Sequence, residues 1–231
     1  MARQLTLDLP LRPALGRDDF FVSTANAGAL AQIDGWCDWA FGKLILTGPE
    51  GAGKTHLAHV WADMTGARLV AAADLDAKSL EALAFAPAVV VEDADSVAGH
   101  PAREEALFHL HNALLQTGAP LLLTAREAPS RWGMDLPDLA SRMGQAGIAR
   151  LDPPDDALLQ AVMMKRAVDR QLALTPAILG FAAPRLERSF AAADAFIARV
   201  DSLSLSDQRK PTLAHARIAL ALAAEAADPS S

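Results

Sequence analysis

Over the first two thirds of the chain, short apolar runs alternate with stretches of helical spacing. The runs cover residues 44–46, 68–71, 88–91, 121–124 and 148–151. Runs of three or four with almost no polar interruption suit strands buried on both faces. Residues 54–64, 78–85, 101–117 and 136–143 carry apolar side chains at helical spacing. Asp74 or Asp76 is placed to cap the second of these helices. The third has Pro101 in its first turn, Glu104 and Glu105 early, and Gly118 just past its end, the order that helix termini favour. Residues 25–41 are predicted as a preceding helix with Leu30, Ile33, Trp36 and Cys37 on one side. After Pro153-Pro154 the strand-like runs stop, and residues 155–170, 176–181, 186–200 and 213–226 all predict helices. The pattern predicts an α/β fold with a parallel sheet covered on both faces, followed by a small all-α domain. The implied division is an extended tail over 1–17, an α/β domain over 18–153 and a helical domain over 154–231.

The first apolar run leads into Gly48-Pro49-Glu50-Gly51-Ala52-Gly53-Lys54-Thr55, then His56. This fits G-x-x-x-x-G-K-[ST] between a strand and a helix, the context that makes it a phosphate loop. Glycines let backbone N–H groups curl around phosphate oxygens, and the helix presents its positive end. Lys54 would reach the β- and γ-phosphates of ADP or ATP, and the Thr55 hydroxyl would ligate Mg²⁺. In a doubly wound sheet, ligands sit beyond the carboxyl ends of the strands. Glu92 and Asp93 end the third run there and could hold the Mg²⁺ shell and polarise a water. Thr124 ends the fourth, placed to contact the γ-phosphate or that water, and Arg126 and Glu127 follow.

Composition narrows the class. The 231 residues are 52% hydrophobic, enough for a full core, and carry a net charge of −7. An acidic chain is a poor match for duplex DNA, whose partners present a basic face. Cys37 is the only cysteine, so neither an internal disulfide nor a cysteine metal cluster is expected. No run is long enough to span a bilayer, and no signal peptide is evident; a cytoplasmic protein is expected. His100, His109 and His111 show no metal-ligand spacing. The four tryptophans are scattered along the chain and predict packing roles.

Taken together, G-P-E-G-A-G-K-T-H-L, V-V-V-E-D, L-L-L-T-A, D-L-A-S-R and D-P-P-D resemble the AAA+ module of the DnaA replication-initiator family. E-E-A-L-F-H-L-H-N, L-P-D-L-A-S-R and D-Q-R-K-P-T are closer to the Hda group of DnaA-related regulators, and the resemblance covers nearly the whole chain. It implies an AAA+ domain with a helical lid, without the helix-turn-helix domain of the initiator. It implies that Gln4, Leu5, Leu7 and Leu9 form the peptide that holds the DNA polymerase sliding clamp. It implies that Arg142 is an arginine finger acting in trans on DnaA-bound ATP. Arg188, with Arg185 beside it, would be the sensor 2 arginine opening a lid helix. Val22 and its neighbours Phe21 and Asn26 would cradle adenine. Homo-oligomers are possible in such a family. Two departures stand out: Glu92 replaces the family's Asp, and Arg126 falls where an acid is expected. They imply an intrinsic ATPase that is weak or absent. Alternatives are a self-sufficient ATPase such as a helicase loader, or a non-catalytic adaptor.

Overall fold

The computed structural model describes residues 21–227. Five parallel strands form one sheet in the order β2-β3-β4-β1-β5. They are β1 (Lys43–Thr47), β2 (Arg68–Ala71), β3 (Val89–Glu92), β4 (Leu121–Ala125) and β5 (Gly147–Arg150). The sheet-associated helices are α1 (Ala27–Asp34), α2 (Lys54–Thr65), α3 (Ala77–Leu83), α4 (Pro101–Thr117) and α5 (Pro137–Gly144). Successive strand residues face opposite sides, so the sheet divides its apolar residues between two cores. Leu44, Leu46, Val90, Leu122 and Ala149 pack with Ile33 of α1 and Leu57 and Trp61 of α2. Ile45, Val89, Val91, Leu121 and Leu123 pack with Leu107, Leu110 and Leu114 of α4 and Leu139 and Met143 of α5. β1 lies between β4 and the edge strand β5, so the phosphate loop leaves the sheet from an interior strand. The cap of α3 is Asp76 rather than Asp74, with Ser79 completing a reciprocal capping box.

Two predicted elements differ. The helix predicted over 25–41 ends at Asp34, and the chain passes Gly35 into two short turns, Trp36–Asp38 and Ala40–Gly42. The turns fold Trp36 and Trp39 onto Trp61, at ring separations of 6.5 Å edge-on and 5.2 Å stacked. Three of the four tryptophans thus form one cluster. Such pairs contribute about 0.5–1.5 kcal/mol each beyond area burial, a return a continued helix would forgo.

The remaining helices are α6 (Asp156–Asp169), α7 (Pro176–Ala182), α8 (Phe190–Ser206) and α9 (Leu213–Ala227). They surround their own core, which includes Leu159, Met163, Ile178, Phe196, Ile197 and Val200. Asp155 caps α6 through the Leu158 N–H. α8 starts a turn later than the apolar pattern predicts. Ser189 is its N-cap and accepts from the Ala192 N–H at 3.1 Å. Leu186 is buried from an extended backbone instead, so its hydrophobicity does not report helix. Among the described residues, no helix is long and apolar enough to cross a membrane. Gln4, Leu5, Leu7 and Leu9 lie outside the described residues.

Candidate functional site: a phosphate-loop cleft roofed by the helical region

A cleft of about 570 Å³ opens at the carboxyl end of the sheet. Glu50, Gly51, Gly53, Lys54, Thr55 and His56 line it from the loop and α2, Asp93 and Arg126 from the ends of β3 and β4. Gly51 and Gly53 hold φ of +74° and +93°, values that L side chains rarely adopt. They are also where α8 rests on the loop. A Cβ on Gly51 would lie 2.5 Å from Ser189 Cβ, and one on Gly53 2.7 Å from Phe190 Cε2. The Phe190 N–H donates to the Gly51 carbonyl at 3.3 Å. Lys54 is the first residue of α2, and its Nζ donates to the Gly48 and Pro49 carbonyls at 2.9 Å each. Burial lowers the pKa of this ammonium, while Asp93 and Asp95 pull it back up. The site thus holds a cation against the carbonyl oxygens of its own loop.

Glu92 ends β3, and one of its carboxylate oxygens is buried without a hydrogen-bond partner. Asp93 follows in the left-handed region at φ 52°. Its N–H donates to the Thr124 hydroxyl at 3.0 Å. Thr124 is buried at the end of β4 and stands behind Asp93, fixing the turn that brings this acid to the cleft wall. The Arg126 N–H donates to Asp95 Oδ2 at 3.2 Å, so a second acid fixes the other turn.

The helical region roofs the cleft through Arg166 and Phe190. Arg166, on α6, forms an ion pair with Asp194 of α8 at 2.9 Å. Arg188 does not open a helix. It sits just before the cap and pairs with Asp156, and it does not line this cleft. Arg185 lies over the Phe181 ring and donates to the Phe181 carbonyl. Val22 is exposed and outside the cleft lining. Its neighbour Asn26 is buried and ties the Phe21 carbonyl and the Ser23 N–H together, at 2.8 Å each.

No protein-family model matches the chain. Among solved structures, domain III of the Thermotoga maritima replication initiation protein DnaA is similar with a TM-score of 0.77. The identity is 18%, over 92% of this chain and 98% of that one. AMPPCP-bound DnaA from Aquifex aeolicus is similar with a TM-score of 0.70 at 15% identity, over 83% of this chain and 66% of that one. The chain has the AAA+ fold, built like DnaA domain III. A RuvB mutant from Thermotoga maritima is similar at 0.61 and 18%, over 78% of this chain and 62% of that one.

In this AAA+ fold, Arg142 stands apart from the phosphate loop. It is exposed, in the last turn of α5. That helix leads into β5, which pairs with β1 from the strand's beginning, so Arg142 lies at the amino end of the sheet while the loop lies at the carboxyl end. Sequence reasoning missed Arg166, Phe190, Ser189 and His59, which border the cleft or its loop. Nothing in their local sequence marks them. Only the docking of α6 and α8 over the loop brings them there.

Proposed function

We propose that the chain binds adenine nucleotide, docks on the sliding clamp and promotes hydrolysis of DnaA-bound ATP with Arg142 in trans. The observation that carries this reading is the separation of two cationic ends on one AAA+ fold. One end holds Lys54, Thr55, Asp93 and Arg126 around a cleft of about 570 Å³; the other leaves the Arg142 guanidinium in solvent. An arginine so placed is out of reach of its own phosphate loop, and the nucleotide it would serve is a neighbour's.

Lys54 would draw away from the Gly48 and Pro49 carbonyls to meet the β- and γ-phosphates. Backbone N–H groups at the start of α2 would take the remaining oxygens. The unpartnered Glu92 oxygen, the Thr55 hydroxyl and Asp93 fit a Mg²⁺ arriving with the nucleotide. That ion would offset negative charge on the phosphates. Thr124 would hold Asp93 in place, and Arg166, which lines the cleft, would supply the lid's cation; Arg188 would have to leave Asp156 to do so. Glu92 in place of the family's Asp, and Arg126 in place of its acid, support an intrinsic ATPase that is weak or absent; the regulator would be cytoplasmic. Supplied in trans, Arg142 would stabilise transition-state charge, an effect of about 10³- to 10⁵-fold in related systems. Gln4, Leu5, Leu7 and Leu9 would seat in the apolar groove of the clamp as an extended peptide.

The test is hydrolysis of DnaA-bound ATP with and without clamp loaded on DNA. Stimulation that requires clamp, and that disappears when Gln4, Leu7 and Leu9 are replaced by Ala, is the expected result. Turnover by this chain alone would favour a self-sufficient ATPase. An unchanged DnaA rate would favour an adaptor.

A further inference from the structure

At the amino end of the sheet, Lys43 and His111 are buried against each other. Lys43 opens β1 at 1% exposure, and His111 of α4 is 3% exposed. Lys43 Nζ lies 2.9 Å from His111 Nε2, and His111 Nδ1 lies 3.3 Å from Asn112 Oδ1. An ammonium only donates and an amide oxygen only accepts. The ring therefore accepts at Nε2 and donates from Nδ1, which makes it neutral. The pair's single positive charge stays on Lys43. The Phe41 ring, 5.4 Å from Nζ, covers another side, on a residue at φ 55°.

Arg142 belongs to the same edge. It lies in the last turn of α5, five residues before Gly147, and Gly147 is in register with Leu44, the residue after Lys43. Its charge bears on both Lys43 and His111. Among the described residues, neither Lys43 nor Arg142 makes an ion pair with a carboxylate.

A buried ammonium on a neutral imidazole is a poor device for stabilising a fold, because an apolar residue of the same volume avoids the desolvation cost. What the pair does supply is a fixed positive charge behind a flexible guanidinium. Like charges repel, and among the described residues no ion pair holds the arginine, Asp138 one turn earlier on α5 included. We propose that Lys43 and His111 are positioning residues for Arg142, a buried cationic floor that keeps its guanidinium extended toward the polyphosphate of a second AAA+ module. This rests on the reading of Arg142 as a finger acting in trans.

The floor's charge depends on pH. Burial, and then the Arg142 charge, lower the Lys43 ammonium to about 8. Burial and then the Lys43 charge lower His111, the hydrogen bond to Asn112 opposes them, and Arg142 adds a smaller lowering. Among the described residues, His111 from α4 and Arg142 from α5 are the titratable and charged groups that bear on Lys43. A lowered ammonium keeps its charge below its pKa and loses it above, so the floor fades as pH rises through about 8.

The experiment has two arms on the full chain. In the first, NMR follows the titration of His111 in wild type and in Arg142→Ala. Removing the guanidinium should move the His111 midpoint up toward the ordinary value of 6.5. An unmoved midpoint means the groups are uncoupled and overturns the proposal, whatever second module is used. In the second, Lys43→Met is compared with wild type for thermal midpoint, nucleotide binding and stimulation of DnaA-bound ATP hydrolysis. The expected variant is no less stable and binds nucleotide as before. Its stimulation falls about ten- to a hundredfold, the scale of a small misplacement of a reacting group. Wild-type stimulation should also decline as pH passes about 8, while the residual stimulation by Lys43→Met stays flat. Full stimulation by Lys43→Met overturns the floor and leaves the trans reading standing. Full stimulation by Arg142→Ala overturns the trans reading and the floor with it. Loss of folding in Lys43→Met assigns the pair a structural role and overturns the proposal.

Discussion

Thr124→Val removes one hydroxyl and keeps the shape of the side chain. In the native fold, that hydroxyl accepts from the Asp93 N–H at 3.0 Å, and Thr124 is 1% exposed. Valine leaves the N–H without this acceptor at the half-buried wall of the cleft. Loss of such a hydrogen bond costs about 0.5–1.5 kcal/mol. Asp93 also sits at φ 52°, a conformation that costs a non-glycine residue roughly 1–2 kcal/mol and that the hydrogen bond helps offset. Relief of the buried hydroxyl returns part of the loss, so a net destabilisation of about 0.5–1.5 kcal/mol is expected. For a chain of this size, each kcal/mol lowers the midpoint by about 2–4 °C. Urea denaturation of wild type, Thr124→Val and Thr124→Ser measures the effect. Serine keeps the acceptor and should lie close to wild type. A valine cost below about 0.5 kcal/mol, or serine as damaging as valine, would show that the hydroxyl does not hold the Asp93 turn.

Other consequences follow from the same geometry. Gly53→Ala places a Cβ 2.7 Å from the Phe190 ring at a φ of +93° and should cost about 1–3 kcal/mol. A double-mutant cycle with Phe190→Ala should show a coupling of roughly 0.5–3 kcal/mol; additive effects would mean that α8 does not rest on the loop. Asp155 caps α6 and accepts from the Thr24 hydroxyl at 3.1 Å. The Leu158 N–H is the main cause of its carboxyl lying below the ordinary 3.8. A depressed pKa contributes stability above the ordinary value and loses it as pH falls through the folded one. Asp155→Ala should therefore cost about 1 kcal/mol at neutral pH, and the gap to wild type in denaturation should close in acid. A gap that is constant with pH would contradict that account.

The parts of the fold legible in sequence are those whose signals are local. Pro101 and Gly118 bracket α4, which runs Pro101–Thr117 as read. Gly48 to Thr55 marks the strand-to-helix turn before any packing is considered. The parts that were not legible depend on neighbours distant in sequence. Leu186 suggested helix because it is apolar, yet it is buried from an extended segment, and Ser189, a residue with an ordinary capping signature, starts α8. Arg188 turns to Asp156, 32 residues earlier, a pairing no motif spacing reports. Lys43 carried no signal at all, since a lysine before an apolar run reads as a solvated strand start. The packing of α4 and α5 over the edge of β1 buries it.

The most direct test of the central claim compares Arg142→Ala and Arg142→Lys with wild type in nucleotide binding, clamp binding and DnaA-bound ATP hydrolysis. A finger that works in trans predicts that the first two are unchanged and that stimulation is lost in both variants. Lysine fails because a point charge cannot replace a planar fork of donors. Stimulation at the wild-type rate in both variants would contradict the claim, and joint failure of all three assays would make Arg142 a structural residue.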